Sequence, residues 1–273
     1  MTSPTPAHGL AHIGGFLLDM DGTVYLSDQL LPGAANFLAY TAQANIPVLL
    51  LTNNSSKNRE AYVQKFTGMG LQVPAEKILT SGEASAQYMQ THAPDARIAL
   101  FGTPDLAEDF RRYALALDVQ NPDTVVLGFD MTLDYAKLVR LCDLVRSGLP
   151  YIATHPDFNC PVTGGFIPDI GAMMAFVEAS TGRKADVVIG KPSHHILDLA
   201  AARLGVALPS LCMVGDRLYT DIAMGQGTPI QTALVLSGET KAGNLPGSPF
   251  KPDYVFENLA DLTRAFQKAR EWQ

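Results

Sequence analysis

The sequence lacks the features that usually identify membrane, secreted and nucleic-acid-binding proteins. Its longest dense apolar run, Ile46–Leu51, is interrupted by Pro47 and is far too short to cross a bilayer. No lysine- or arginine-rich run occurs, and the formal net charge of −7 disfavours a nucleic-acid partner. The amino terminus has no basic stretch followed by an apolar segment, so no secretory signal is predicted, and residues 2–11 are expected to form a loose leader.

Cysteine is also scarce. Cys142, Cys160 and Cys212 are odd in number and far apart, and no two of them have the spacing of a metal-ligand or redox pair. Free thiols of this kind suit a reducing compartment, so we expect a cytoplasmic protein in which Cys142 and Cys212 are buried. The remaining composition, 47% hydrophobic and 17% charged over 273 residues, is that of a globular protein with one large or two modest domains.

Short apolar runs alternate with segments of helical period along nearly the whole chain. This alternation predicts an α/β fold built on a parallel sheet. In the two terminal parts the predicted strands are Phe16–Asp19, Val48–Thr52, Val187–Ile189, Leu211–Gly215, Ile230–Leu236 and Tyr254–Phe256. The predicted helices there are Gly33–Asn45, one through Tyr62, Val63 and Phe66 ending near Gly68, and Ile196–Leu204, Asp221–Gly225 and Leu259–Trp272.

The middle of the chain has a βα alternation of its own. Its predicted strands are Ile98–Phe101, Val125–Phe129 and Tyr151–Thr154. Its predicted helices are Leu106–Tyr113, Leu138–Val145 and one centred on Met173–Glu178 that extends at most over Ile170–Thr181. We therefore predict one domain from residues 1–81 and 187–273, with residues 82–186 as a second, inserted domain. No low-complexity linker marks these boundaries.

The first of four chemically suggestive segments is Asp19-Met20-Asp21-Gly22-Thr23, directly after the buried run Phe16–Leu18. Two carboxylates at the mouth of an apolar strand are costly unless a cation or hydrogen bonds compensate them. Such a pair can divide its roles, one group as an ionised nucleophile and the other as acid and base. Gly22 would let the backbone approach a bound anion closely. The alternative interpretation is an ordinary turn, which also favours Asp and Gly.

Two further segments offer groups that bind phosphate. Thr52-Asn53-Asn54-Ser55 follows a predicted strand and precedes a helix, so its hydroxyl and backbone amides could cradle an anion, although helix capping is the alternative. Gly190-Lys191-Pro192 is not a Walker loop, because Pro192 stands where Ser or Thr would be needed. Lys191 could still place a compact positive charge on a phosphate, and a solvated turn lysine is the alternative.

The fourth segment, Gly215 to Asp221, follows the predicted strand Leu211–Gly215. Asp216 would enter the site from the strand end, and Asp221 would return from the first turn of the next helix. Hard oxygen ligands of this type suit magnesium, which takes one or two carboxylates and leaves other positions to water and phosphate. The alternative is a turn aspartate followed by a favourable charge at a helix start.

Each segment lies where a buried strand ends, the edge at which open α/β sheets bind ligands. Together the four supply a nucleophile, an acid and base, a phosphate clamp and a metal site, a combination that chance rarely produces.

The four segments resemble the four motifs of the haloacid dehalogenase superfamily of phosphatases, and most closely its NagD-like, p-nitrophenyl-phosphatase-type branch. The resemblance runs from about Gly15 to the end of the chain. It implies a Mg²⁺-dependent phosphatase of small phosphate monoesters, such as sugar phosphates, nucleotides and, in vitro, p-nitrophenyl phosphate.

The resemblance also implies roles for individual residues. Asp19 would be the nucleophile and become phosphorylated, and Asp21 would protonate the leaving group and later activate water. The implied phosphate ligands are Gly22, Thr52, Asn53, Asn54 and Lys191. Magnesium would be held by Asp19, the backbone carbonyl of Asp21, and Asp216. Asp221 would support the metal shell or orient Lys191.

Spacing places the inserted domain. Asp19 and Thr52 are 33 positions apart, too close for a domain between them, whereas 139 positions separate Thr52 from Lys191. This resembles the family's larger α/β cap, which shields the site and selects the substrate. Asp157–Asp169 is the candidate roof, predicted as a shaped loop because it is rich in glycine and proline, and His155-Pro156-Asp157 departs from the branch's Asn-Pro-Asp.

Two other functions fit the same chemistry. A phosphomutase would share the aspartyl-phosphate step, but its small cap lies between the first two motifs, where this chain has no room. A catalytically silent protein that binds a phosphorylated metabolite would be expected to have lost one of Asp19, Asp21, Lys191 and Asp216. The predicted partner is a small phosphorylated metabolite, with no nucleic acid and no membrane, and the predicted assembly is a homodimer. His194 and His195 are predicted to begin a helix and not to bind metal.

Overall fold

The fold is taken from a computed structural model, in which residues 9–118, 120–162 and 164–271 are described. The elements of the first part of the chain are β1 (Gly15–Asp19), β2 (Tyr25–Leu26), β3 (Gln29–Leu30), α1 (Ala34–Gln43), β4 (Val48–Thr52), α2 (Arg59–Gly68), β5 (Ile78–Thr80) and α3 (Ser81–His92). Those of the middle are β6 (Arg97–Phe101), α4 (Pro104–Arg112), β7 (Ala116–Leu117), β8 (Thr124–Leu127), α5 (Tyr135–Arg146), β9 (Tyr151–Ala153), β10 (Asn159–Val162), β11 (Gly165–Pro168) and α6 (Ile170–Thr181). The last part contains β12 (Val187–Val188), α7 (His194–Leu204), β13 (Leu211–Gly215), β14 (Gln231–Val235), β15 (Tyr254–Phe256) and α8 (Leu259–Arg270).

The chain divides into two compact units. The first contains the chain up to Leu51, Val63–Ile78, and the chain from Leu197 onward, and the second contains Thr52–Tyr62 and Leu79–Ile196. The second unit thus includes a segment after β4 that the sequence placed with the terminal parts. The assignment of residues 82–186 to an inserted, substrate-selecting domain stays a prediction.

The principal sheet of the first unit has the strand order β15-β14-β13-β1-β4-β5. β1 pairs in parallel with β13 on one side and with β4 on the other. All five residues of each of these three strands are buried, which is why they read in the sequence as continuous apolar runs. The chain therefore leaves β1 towards one edge and later returns on its other side, which makes the carboxyl end of β1 a topological switch point.

Helices α1 and α8 pack on this sheet through aromatic contacts. The ring of Phe16 in β1 lies edge-on to Phe37 of α1 and to Phe266 of α8, with centroids 5.1 and 5.0 Å apart. Asn258 begins α8 by accepting hydrogen bonds from the backbone N–H groups of Ala260 and Asp261, which otherwise lack an intrahelical partner. The central strand, which carries Asp19, is thus rigidly packed.

The second unit is built on a five-stranded sheet of order β12-β9-β8-β6-β7, whose pairings are parallel. Side chains from β6, β8, β9, α5 and α6 form its apolar core. Helices α4, α5 and α6 each begin at a side-chain cap, provided by Thr103, Asp134 and Asp169. The α/β fold with parallel sheets and helices is therefore confirmed.

Several local predictions were wrong. The sequence analysis missed β5 and the twelve-residue helix α3. It predicted a shaped loop over Asp157–Asp169, but residues 159–168 contain the antiparallel pair β10–β11. The predicted helix Asp221–Gly225 is a short 3₁₀ turn, Ile222–Gly225.

Two further predictions concern the chain ends. Residues 1–8 of the predicted leader and Trp272 lie outside the described residues, and the leader's described end is not loose, because Leu10–His12 form a 3₁₀ turn with Leu10 buried. Within the described part of the chain, no helix combines the length and the apolar character needed to cross a bilayer.

Candidate active site

Three buried carboxylates meet at the switch point of the first unit. Asp19 is the last residue of β1, Asp216 directly follows the neighbouring strand β13, and Asp221 lies five residues further on. One carboxylate oxygen from each lies within 4.8 Å of the others. We call Asp19, Asp216 and Asp221 the carboxylate cluster.

Asp216 is held by the chain on both sides of it. Its Oδ2 accepts a hydrogen bond of 2.6 Å from the backbone N–H of Glu239, whereas its buried Oδ1 has no hydrogen-bond partner among the described residues. Burial, and after it the negative charges of Asp19 and Asp221, raise the pKa of Asp216 well above its ordinary value. A cation would relieve both the repulsion and the unmet hydrogen-bonding capacity.

Three glycines bring the backbone close to the carboxylates of Asp216 and Asp221. Gly22 has φ +89°, and a Cβ placed on it would lie 2.4 Å from Asp216 Oδ2. A Cβ on Gly238 would lie 1.9 Å from the same oxygen, and one on Gly215 would lie 2.2 Å from Asp221 Cγ. Bare backbone therefore surrounds the cluster, and the donor set, three carboxylates with one orphaned oxygen, fits a hard divalent cation.

Asp21 lies in the turn after β1, two residues beyond Asp19 of the carboxylate cluster. Asp21 is half-buried and forms an isolated bridge with Tyr25, and the backbone N–H of Gly22 donates to the Tyr25 carbonyl. Ser237 Oγ donates to the Gly22 carbonyl at 2.9 Å. Residues 20–25 therefore form an ordered turn closed by hydrogen bonds.

The predicted phosphate ligands Thr52, Asn53, Asn54 and Lys191 belong to the second unit. The Thr52 hydroxyl accepts a 3.1 Å hydrogen bond from the backbone N–H of Asn54. The helix that was expected to start directly after this segment, α2, starts only at Arg59, and Asn58 caps it by accepting from the N–H of Ala61. Residues 52–55 therefore neither cap α2 nor lie at its start, and their role in binding phosphate stays a prediction.

Asn53 and Lys191 lie together. Asn53 Oδ1 accepts from the backbone N–H of Lys191 at 2.7 Å, and Asn53 Nδ2 donates to the Lys191 carbonyl at 2.9 Å. Lys191 is 2% exposed, so the alternative of a solvated turn lysine is wrong. Because the side chain of Asn53 is engaged in this way, its backbone N–H is the group left to serve a phosphate.

The sequence analysis missed the segment Ser237–Thr240, which wraps around Asp216 from the end of β14. Glu239 donates to the carboxylate as described, and the N–H of Thr240 donates to the Asp216 carbonyl at 3.2 Å. The available signal was another polar, glycine-containing cluster directly after an apolar strand. His194 and His195 begin α7 as predicted.

Comparison with known families agrees with the four motifs. Residues 16–116 match the family described as haloacid dehalogenase-like hydrolase, and residues 188–262 match the family described as HAD-hydrolase-like.

Individual relatives cover nearly the whole chain. An acid sugar phosphatase of Staphylococcus haemolyticus is 36% identical over 90% of this chain and 93% of its own length. The crystal structure of a 4-nitrophenylphosphatase from Thermotoga maritima is 47% identical, covers 95% of this chain and 100% of that one, and superposes with a TM-score of 0.93. NagD from E. coli K-12 is 29% identical, covers 91% and 98% of the two chains, and gives a TM-score of 0.85.

Proposed function

We propose that this protein, which belongs to the NagD-like branch of the haloacid dehalogenase-like hydrolases, works through a phosphoaspartate on Asp19. It is a phosphatase of small phosphate monoesters. The observation that carries the proposal is the carboxylate cluster at the switch point, with Asp19 at the end of the central strand.

In the first step, a carboxylate oxygen of Asp19 attacks phosphorus while the bond from phosphorus to the ester oxygen breaks. Asp21 donates its proton to the departing alkoxide, so the leaving group departs as an alcohol. In the second step Asp21, now ionised, takes a proton from water, which attacks the phosphoaspartate and releases inorganic phosphate. Splitting one difficult displacement into two easier ones is the gain from covalent catalysis.

The transferring phosphoryl group carries negative charge that must be bound. We assign this task to the Thr52 hydroxyl, the backbone amide of Asn53, and the ammonium group of Lys191. Gly22 and Asn54 were also predicted as phosphate ligands, but their N–H groups already donate to the Tyr25 carbonyl and the Thr52 hydroxyl. Lys191 supports the assignment because its side chain is buried despite its charge.

Magnesium is the metal we propose. Asp19, the carbonyl of Asp21, and Asp216 would hold it, and Asp221 would support that shell or orient Lys191. When bound, Mg²⁺ would neutralise the charge of the carboxylates and of the phosphate.

The remaining predictions concern substrate and setting. We propose sugar phosphates and nucleotides as substrates, with p-nitrophenyl phosphate as the laboratory substrate, and residues 82–186 as the domain that selects among them. The cytoplasmic location and the homodimer stay predictions from the sequence.

The test of the nucleophile is Asp19→Asn. The amide is nearly isosteric but cannot attack phosphorus as an anion, so hydrolysis of p-nitrophenyl phosphate should fall by several orders of magnitude, as it does when other enzymatic nucleophiles are removed. Circular dichroism should show that the variant is folded. A folded variant with more than about a tenth of wild-type activity would contradict the assignment, since no other group is proposed to attack.

A further inference from the structure

Both N–H donors of the Asn53 side chain, and its oxygen, form hydrogen bonds within the second unit. A carboxamide has two N–H donors. In Asn53, Oδ1 accepts from the N–H of Lys191, and Nδ2 donates to the Lys191 carbonyl. Nδ2 also donates to Asp157 Oδ2 at 2.7 Å. The side chain of Asn53 therefore binds Lys191, which is 138 positions away in the chain, and is held in place by Asp157, which is 104 positions away.

The residue before Lys191, Gly190, is closely packed against Asn53 and its neighbours. A Cβ on Gly190 would lie 2.6 Å from Asn53 Oδ1, 2.7 Å from His155 Cβ and 2.8 Å from the Thr154 carbonyl. The N–H of Gly190 donates to that same Thr154 carbonyl at 2.8 Å. The backbone at 190–191 is therefore fixed from two sides, by Asn53 and by the segment that follows β9.

That segment is itself tied back to Asn53. His155 Nε2 lies 2.9 Å from Asp169 Oδ1, and His155 Nδ1 lies 3.3 Å from Ser81 Oγ. The Ser81 hydroxyl in turn donates to the carbonyl of Asn53. The side chain of Asn53 meets Asp157 while its carbonyl meets Ser81, and all of these groups are buried.

We propose that Asn53 is a positioning residue that sets the backbone of Lys191, and through it the place of the Lys191 ammonium group. The inference rests on the proposed function, which gives Lys191 the phosphoryl group. A lysine stem has many rotamers, so its reach is reproducible only if the backbone at its root is fixed. Misplacement of a catalytic or binding group by about 1 Å can cost about 100-fold in rate.

The experiment compares Asn53→Ala with Asn58→Ala. Asn58 is the matched control, because it is also buried and hydrogen-bonded in the same stretch of chain but only caps α2. Both variants lose a buried amide and some stability. Lys191→Ala and the double variant Asn53→Ala/Lys191→Ala complete the set. Each is assayed on p-nitrophenyl phosphate and on glucose 6-phosphate, with hydrogen exchange measured at the Lys191 N–H.

Asn53→Ala is expected to lower kcat/KM by about 10- to 100-fold for both esters and to speed exchange at the Lys191 N–H, while Asn58→Ala does neither. In the Lys191→Ala background, Asn53→Ala should have no further effect, because groups that act as a unit are not additive. If Asn53→Ala does not fold, Asn53→Ser leaves a short polar side chain and adds no charge beside Asp157, and it should show a loss of the same kind.

Three results would overturn the inference: activity of Asn53→Ala equal to that of Asn58→Ala, unchanged protection of the Lys191 N–H, or a full additional loss in the double variant. Wild-type activity in Lys191→Ala would instead reject the role assigned to Lys191 under the proposed function. Loss in Lys191→Ala without loss in Asn53→Ala rejects only the positioning role.

Discussion

The backbone of Gly22 closely approaches Asp216 of the carboxylate cluster. Replacement by alanine forces a side chain into the left-handed region, which costs about 1 kcal/mol, and drives its Cβ against Asp216 Oδ2, which lies 2.4 Å away. We expect Gly22→Ala to lose about 1 kcal/mol or more of unfolding free energy and at least about 100-fold in kcat/KM, because Asp216 must move. Urea unfolding and initial rates over a magnesium series measure the two effects.

Gly70→Ala is the control for backbone strain alone. Gly70 has φ +77°, close to that of Gly22, but nothing lies within 4 Å of a Cβ built on it. Its alanine variant should lose similar stability and keep wild-type activity and magnesium dependence. If the two variants behave alike in activity, close approach to Asp216 is not what Gly22 provides.

The sequence predicted which of the carboxylates lie together better than it predicted their contacts. Asp19 and Asp216 could be brought together because they stand at the ends of two buried strands of a parallel sheet, and Asp221 because it was expected to return from the turn that follows. The wrapping of Asp216 by Glu239 could not, because it depends on the path of a loop from a different strand. For the same reason Asn53 was predicted as a phosphate ligand from its position, whereas its side-chain partners, Lys191 and Asp157, are visible only in the fold.

The hairpin β10–β11 is the element we expect to select the ester. Phe158 and Phe166 are 62% and 67% exposed, which is unusual for aromatic side chains of a unit with its own packed core. Substitutions within residues 159–166, beginning with Phe166→Ser, should change which phosphate ester is preferred, whereas Lys191→Ala should depress all esters alike. A panel of sugar phosphates, nucleotides and p-nitrophenyl phosphate, ranked by kcat/KM, measures both.

Tyr135→Ser serves as the control for this element, since Tyr135 is 78% exposed on α5, outside the hairpin. It should leave the ranking of esters unchanged. The division of roles is wrong if hairpin variants weaken every ester equally while Lys191→Ala reorders them.

Helices α3 and α4 meet at a buried acidic pair. Asp109 on α4 is 1% exposed, its Oδ2 has no hydrogen-bond partner among the described residues, and Glu83 on α3 is equally buried. Burial, and after it the charge of Glu83, raises the pKa of Asp109 to about 7. An acid whose pKa is raised on folding gives stability that is fully present below its unfolded value and is lost as the pH rises through the folded value.

Asp109→Asn should therefore stabilise the protein more at pH 8 than at pH 5, by about 2 kcal/mol. Urea unfolding at the two pH values measures this. The control is Asp123→Asn, because a salt bridge to Arg97 holds the pKa of the exposed Asp123 below its ordinary value, so it is ionised at both pH values. Its small loss of stability should not depend on pH, and a pH-independent effect of Asp109→Asn would reject the buried charge.

Helix α3 shows why an element can escape sequence reasoning. Its residues, Ser-Gly-Glu-Ala-Ser-Ala at the start, show no apolar stripe, yet seven of its twelve residues are buried. Five of these seven are Gly, Ala or Ser, and a Cβ on Gly82 would lie 2.7 Å from Leu106 of α4, so the two helices approach closely. The hairpin β10–β11 was likewise missed, because glycine and proline were read as loop formers although they pair within its strands. The parallel strands buried on both faces were predicted well, because burial alone determines their pattern.

Metal binding and folding should be linked in this protein, because the carboxylate cluster joins residues about 200 positions apart in the chain and exists only in the folded first unit. A ligand that binds only the native state stabilises it by about 2.7 kcal/mol at 100 times its Kd. We therefore expect Mg²⁺ to raise the melting temperature of the wild type and not of Asp216→Asn. Chelation should abolish p-nitrophenyl phosphate hydrolysis, and readdition of Mg²⁺ should restore it.

Calcium should occupy the site and inhibit. It accepts hard oxygen ligands but takes higher and less regular coordination than magnesium, which misaligns the attacking and leaving oxygens. The expected result is a thermal shift with Ca²⁺ in the absence of turnover, and competition between Ca²⁺ and Mg²⁺ in rate measurements. A comparison of the two ions would then distinguish metal binding from catalysis without any change to the protein. Full activity after exhaustive chelation would show that the cluster does not act as a magnesium site, and equal turnover with both ions would show that calcium does not inhibit.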